Sequence, residues 1–143
     1  RLGKTSEVCQ VVDASTDALA VARANGERLG LPVRWLHSDW FSAVPDRFDL
    51  IVSNPPYIRE GDPHLPALRH EPTQALTSGA DGLDAIRTLV AQAPQHLRPG
   101  GWLLLEHGWD QAKAVRALLA QAGGQQVGSR RDLAGIERCS GAQ

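Results

Sequence analysis

The sequence predicts an α/β fold: a mostly parallel sheet with helices on both faces and an antiparallel hairpin at the carboxyl end. Three observations carry that expectation. Short apolar runs (Val8–Asp13, Val33–Leu36, Phe48–Ser53 and Trp102–Glu106) alternate with stretches of helical spacing, which implies right-handed crossovers between parallel strands. Several of those runs are apolar on successive residues rather than on alternate ones, as strands buried on both faces are. The tail from Gln125 onward holds two further short runs around a turn near Asp132–Gly135.

Taken in order, the first strand, Val8–Asp13, is followed by the capping cluster Ser15-Thr16-Asp17. Ala18, Leu19, Val21, Ala22 and Leu29 then mark an amphipathic helix, stopped by Gly30 and Pro32. Val33–Leu36 leads to Asp39-Trp40-Phe41 at its carboxyl end. Phe48–Ser53 runs into Asn54-Pro55-Pro56-Tyr57, where the two prolines forbid continuation as a central strand or a helix. From Ile58 to Gly82 the chain has little periodicity, and a connection of that length in a compact domain is usually functional. Leu83–Leu97 reads as a helix ended by Arg98-Pro99-Gly100-Gly101, and Gln111–Ala122 as another, capped by Asp110 and ended by Gly123-Gly124.

Composition narrows the class. At 143 residues with 42% hydrophobic content, the chain is read as one domain, residues 1–143, able to build its own core. Its two cysteines form no C-x-x-C pair, which excludes a zinc knuckle or a disulfide framework and suits a reducing, cytoplasmic setting. The five histidines show no His-Glu-x-x-His pattern, so no metal is expected. No apolar run approaches the roughly 20 residues that span a bilayer, so no membrane partner is expected. The formal net charge is −1 and the basic residues are scattered, so direct binding of nucleic acid is not expected either.

In open parallel sheets, ligands bind beyond the carboxyl ends of the strands. Three clusters fall at such ends: Asp13, Asp39-Trp40, and Asn54–Tyr57. The last carries the most chemistry. The Asn54 side-chain oxygen and the Pro55 carbonyl are able to accept both hydrogens of a planar NH₂ group, fixing the nitrogen and raising its electron density. Pro55 and Pro56 stiffen the turn, and Tyr57 offers a flat face to a planar group. Asp13, at a strand end, suits a carboxylate that accepts from ribose hydroxyls, although caps and turns also favour aspartate there. Trp40 offers a stacking face and Asp39 a hydrogen-bond acceptor; core packing is the commoner fate of a tryptophan. Glu71-Pro72 lies in the long loop, where it is able to order that loop over a substrate. Glu106-His107 reads as lining for the sheet end.

Asn54-Pro55-Pro56-Tyr57 in this setting resembles the Asn/Asp-Pro-Pro-Tyr/Phe motif of Rossmann-like S-adenosylmethionine-dependent methyltransferases. More narrowly, the chain is similar to the HemK/PrmC family, which methylates a glutamine side chain in peptide-chain release factors. The similarity extends over Ser38–Phe41, Asp62–Leu65, Glu71-Pro72, Asp81–Leu83, Leu104–Trp109, Arg131–Leu133 and Glu137-Arg138. The resemblance implies Asn54 and Pro55 as catalytic residues, Asn54–Tyr57 as the substrate-binding turn, and Asp13, Asp39, Trp40 and Asn54 as contacts of S-adenosylmethionine. It implies release factors as partners. Two readings of the same motif stand beside it, an adenine-amine methyltransferase of nucleic acid and a ribosomal-protein glutamine methyltransferase. A third, of another class, is a non-catalytic module that keeps the fold and docks a partner.

The resemblance also implies a first strand leading into a Gly-x-Gly-x-Gly turn, preceded by a helical domain. Arg1–Glu7 does not resemble that turn, so residues 1–143 are expected to be a catalytic domain lacking its amino-terminal part, with little activity of its own. Gly3-Lys4-Thr5 echoes the end of a phosphate-binding loop without its earlier glycine, and is discounted. Gly123-Gly124-Gln125 copies the tripeptide that the family methylates, but its place after a helix predicts ordinary carboxyl-terminal capping.

Overall fold

The computed structural model describes residues 9–63, 65, 70, 72 and 75–143. The chain divides into two compact units, Arg1–Asp46 and Arg47–Gln143. The expectations placed on Gly3-Lys4-Thr5, His64 and Glu71 lie outside the described residues.

In the first unit, strand β1 (Cys9–Asp13) and strand β2 (Val33–His37) pair in parallel, from Cys9 opposite Val33 to Asp13 opposite His37. Helix α1 (Thr16–Arg28) connects them. Ser15 caps it as expected, its hydroxyl accepting from the Ala18 N–H at 3.2 Å. Asp17 in the first turn and Arg28 in the last complement the helix dipole. Gly26 is the contact point between helix and strand: a Cβ there would fall 2.5 Å from the Trp35 ring, so only glycine lets the indole lie against α1.

The second unit holds a four-stranded sheet in the order β3-β4-β6-β5. Strand β3 (Phe48–Ser53) pairs in parallel with β4 (Leu97–Glu106). Antiparallel pairing then joins β4 to β6 (Glu137–Ala142) and β6 to β5 (Gly128–Arg131), which is the expected hairpin. Its turn is built by Asp132, whose Oδ1 accepts from the N–H groups of Ala134 and Ile136 at 2.9 and 3.0 Å.

Helix α2 (Asp84–His96) and helix α3 (Ala112–Gln121) pack on each other; α2 also packs on β4, and α3 on the β5–β6 hairpin. Ile86, Leu105 and Val115 have no exposed surface, and each such side chain contributes about 1.5–3 kcal/mol by burial. Leu103 and Leu105 alternate inward along β4, whereas Leu50 and Val52 of β3 are 52% and 68% exposed.

Two boundaries differ from the sequence reading. Strand β4 begins at Leu97, directly after α2, instead of at Trp102. Leu97 pairs with Phe48 while Trp102 pairs with Leu50, so Arg98–Gly101 bulges outward between two in-register contacts. Gly100, at φ +81°, makes the bulge possible. Helix α3 is not capped by Asp110. Its N-cap is Gln111, which makes no side-chain capping bond, because Asp110 pairs with Arg59 and Gln111 turns inward. The end of α3 is as expected: Gly123 sits at φ +86° and the Gly124 N–H closes onto the Leu119 carbonyl at 3.0 Å.

Candidate functional site

The parallel register of β3 and β4 sets Ser53 opposite Leu105, so Asn54 and Glu106 emerge at the same rim of the sheet. The prolines that follow end the strand. Asn54 is exposed and Pro55 buried. Among the described residues no partner takes the Asn54 side chain, and no N–H takes the carbonyls of Asn54, Pro55 or Pro56. The next carbonyl, that of Tyr57, is occupied: the Gln111 side-chain NH₂ donates to it at 3.0 Å. The Asn54 side chain is thus left without a described partner, while the Tyr57 carbonyl is held by the fold.

Beyond the turn, the chain is clasped. The Ile58 N–H donates to the Leu76 carbonyl and the Ser78 N–H to the Ile58 carbonyl, both at 2.9 Å, forming a parallel bridge between Ile58 and Thr77. The expected long connection is thus closed at its base. Its far end starts α2 by an arrangement that the sequence did not signal. The buried Ser78 hydroxyl accepts from the Ala85 N–H at 2.7 Å and Asp81 Oδ1 from the Leu83 N–H at 3.1 Å, while the N-cap residue Leu83 has no capping side chain. Arg87 holds Asp81 through both carboxylate oxygens, and this hydrogen bonding keeps the Asp81 carboxyl below its ordinary value.

Tyr57 folds back over the rim and its hydroxyl donates to Glu106 Oε1 at 3.4 Å. Burial raises the phenol above its ordinary value, and the Glu106 charge raises it further. The ring is half-buried, leaving part of it able to meet a flat substrate group. Glu106, read from the sequence as lining, thus touches the motif directly. His107 is lining in the full sense. It has no exposed surface, Nδ1 meets the Gly108 carbonyl at 2.9 Å and Nε2 meets Ser140 Oγ at 2.8 Å.

In the first unit, Asp13 closes β1 and Asp39-Trp40 follows β2, as the sequence places them. Asp13 is exposed; its Oδ1 accepts from the Ser15 N–H at 2.7 Å, which orients the carboxylate, and no described residue takes Oδ2. The Asp13 carbonyl accepts from the Ser38 N–H at 3.1 Å, tying the ends of the two strands together. Trp40 sits at φ +48°, a left-handed conformation rare for a bulky residue. Ser38 Oγ accepts from the Ala43 N–H at 2.9 Å and fixes the turn that carries Asp39 and Trp40. A carboxylate with a free oxygen and a partly exposed indole suit the ribose and adenine of a nucleoside.

A family model described as the methyltransferase small domain matches residues 2–122. The chain belongs to that family. Relatives of this methyltransferase domain include a release factor glutamine methyltransferase of Bordetella pertussis, 56% identical over 98% of the chain and 53% of the relative. A second, from Xylella fastidiosa, is 55% identical over 88% of the chain and 47% of the relative. The chain therefore spans about half the length of these relatives. Among solved structures, a methyltransferase from Pyrococcus furiosus superposes with a TM-score of 0.68 at 23% identity, over 94% of this chain and 60% of that one. The release-factor-specific protein-(glutamine-N5) methyltransferase from Alicyclobacillus acidocaldarius gives 0.52 at 25% identity, over 96% of this chain and 82% of that one. The α/β methyltransferase fold is the common element. Among the described residues of this domain, no helix is long and apolar enough to cross a membrane.

Proposed function

We propose that the full-length protein transfers a methyl group from S-adenosylmethionine to the side-chain amide nitrogen of a glutamine in peptide-chain release factors. The observation that supports this reading is at the rim of β3, where no described residue occupies the exposed Asn54 side chain and no described backbone N–H donates to the Pro55 carbonyl. The printed names of the relatives supply the substrate class.

When bound, S-adenosylmethionine would supply an electrophilic methyl on a sulfonium, which the amide nitrogen's lone pair would take as the carbon–sulfur bond breaks and a neutral thioether leaves. Asp13 would accept from the ribose hydroxyls, and Trp40 with Asp39 would hold the adenine. Asn54 is assigned a cofactor contact as well. Asn54 and Pro55 each accept one N–H of the substrate amide. An amide nitrogen is a poor nucleophile because its lone pair is delocalised, and two acceptors fixed before reaction push density back onto it without a reorganisation cost. Tyr57 stacks on the planar amide and Pro56 keeps the turn rigid. The nitrogen sheds its extra proton easily after transfer, so no strong base is required. The setting this implies is the cytoplasm, where release factors work.

The test is mass spectrometry of a release factor incubated with full-length protein and S-adenosylmethionine. One methyl group on a glutamine, lost when Asn54→Ala is used, is the expected result. Methylation undiminished by Asn54→Ala sinks the assignment of that residue, and no methylation by the unsubstituted protein sinks the substrate.

A further inference from the structure

We propose that Gln111 is the positioning residue of the Asn54–Tyr57 turn, locking the Tyr57 carbonyl so that the acceptors of Asn54 and Pro55 stay aimed at the substrate; this rests on the reading of that turn given above. A glutamine that begins a helix normally reaches into solvent. Here its side chain is buried, the residue 4% exposed. Its NH₂ shares two hydrogens among three carbonyls, those of Tyr57 at 3.0 Å and of Asp81 and Gly82 at 3.3 Å. Its Oε1 accepts from the Gly108 N–H at 2.7 Å. One side chain therefore joins the motif, the start of α2 and the turn before α3. No hydrogen remains on it to meet a substrate, so it acts through Tyr57.

Two glycines show how closely this knot is drawn. A Cβ on Gly82 would fall 2.3 Å from the Tyr57 carbonyl oxygen and 2.8 Å from Gln111 Nε2, and one on Gly108 would fall 2.9 Å from Gln111 Oε1. The knot is also anchored from behind. Arg116 donates to Ser129 Oγ at 2.6 Å, Ser129 Oγ meets Ser140 Oγ at 2.7 Å, and Ser140 meets His107, whose other nitrogen holds the Gly108 carbonyl. With each hydroxyl passing its hydrogen onward, every link runs one way from Arg116 to Gly108, and Gln111 carries the constraint on to Tyr57.

The experiment uses the full-length protein with Gln111→Met, which keeps the volume and removes the amide, and Gln111→Glu, which keeps the Gly108 acceptor and removes the NH₂. Expected in both is a fall in kcat of about tenfold or more, with KM for the release factor changed by less than about twofold. Tyr57 supplies a second readout: its phenol titration, taken as the 295 nm difference from Tyr57→Phe, moves down toward the ordinary tyrosine value as the ring is freed. A third needs no substitution of Gln111. In the unsubstituted protein its side-chain NH₂ hydrogens exchange with solvent much more slowly by NMR than those of the exposed Gln121. Wild-type kcat and an unmoved Tyr57 titration in either folded variant overturn the proposal, as does amide exchange as fast as that of Gln121. Should the unsubstituted protein leave release factor unmethylated, the substrate reading fails alone, and the Tyr57 titration and amide exchange still decide the role of Gln111.

Discussion

The hydroxyl of Tyr57 and the carboxylate of Glu106 lie 3.4 Å apart, joining the last residue of the motif after β3 to the last residue of β4. Parallel strands end side by side, so a residue that folds back from one meets the end of its neighbour. The contact couples an ionisable phenol to a fixed negative charge.

That coupling has a pH signature. The Tyr57 phenol is raised in the folded protein, first by burial and then by Glu106. The protonated form is therefore favoured by folding, and its stabilisation is complete below the ordinary tyrosine value and lost as the pH rises through the folded one. Glu106→Gln is expected to lower the phenol titration measured at 295 nm without returning it fully, because burial remains. A titration unchanged in that variant refutes the contact.

At acid pH one sensitive group is Asp81. Its carboxyl is depressed, chiefly by hydrogen bonds from Arg87, so its contribution is present above the ordinary aspartate value and fades as the pH falls through the folded value. The pair is exposed, and Asp81→Asn is expected to cost only about 0.5 kcal/mol in urea unfolding at pH 7. The difference between variant and parent should shrink toward zero near pH 2; a constant difference speaks against it.

Gly82→Ala and Gly61→Ala form a matched pair. Both glycines have φ near +75°, at +75° and +77°, so alanine strains either backbone, at about 1 kcal/mol. Only at Gly82 does the added Cβ strike the Tyr57 carbonyl; at Gly61 it meets no described residue within 4 Å. Gly82→Ala is expected to lose at least about 1 kcal/mol more than Gly61→Ala in thermal unfolding, together with most of the methyl transfer. Equal losses mean that the close approach at Gly82 is not a constraint.

His107→Phe tests the buried chain behind the site. Phenylalanine is near in size but removes one hydrogen bond each from the 1% exposed Ser140, which keeps Ser129, and from the Gly108 carbonyl, which keeps the Gln111 N–H. Stability is expected to fall by about 1–3 kcal/mol in denaturant unfolding. A loss under about 0.5 kcal/mol indicates that neither bond matters.

Much of this was legible in the sequence. The strands at Phe48–Ser53 and in the tail, the Ser15 cap and the Gly123-Gly124 stop follow from local rules, because their causes lie within a few residues of one another. The same holds for Asn54–Tyr57, where prolines enforce a turn whatever surrounds them. What was not legible depends on partners far along the chain. Gln111 looks like any polar residue opening a helix, and only the approach of Tyr57, 54 residues earlier, gives it a buried role. Asp110 has the chemistry of a cap, yet a more distant cation, Arg59, takes it. Ser78 caps a helix from outside the usual position, since the turn at Asp81-Gly82 brings it there. The early start of β4 depends on Phe48 pairing across a bulge, which no pattern in Leu97–Gly101 announces.

The bridge between Ile58 and Thr77 makes the intervening chain a closed excursion with a fixed neck. Lengthening such an excursion costs little, about 0.6 kcal/mol for each doubling, and the neck keeps that change from reaching the motif.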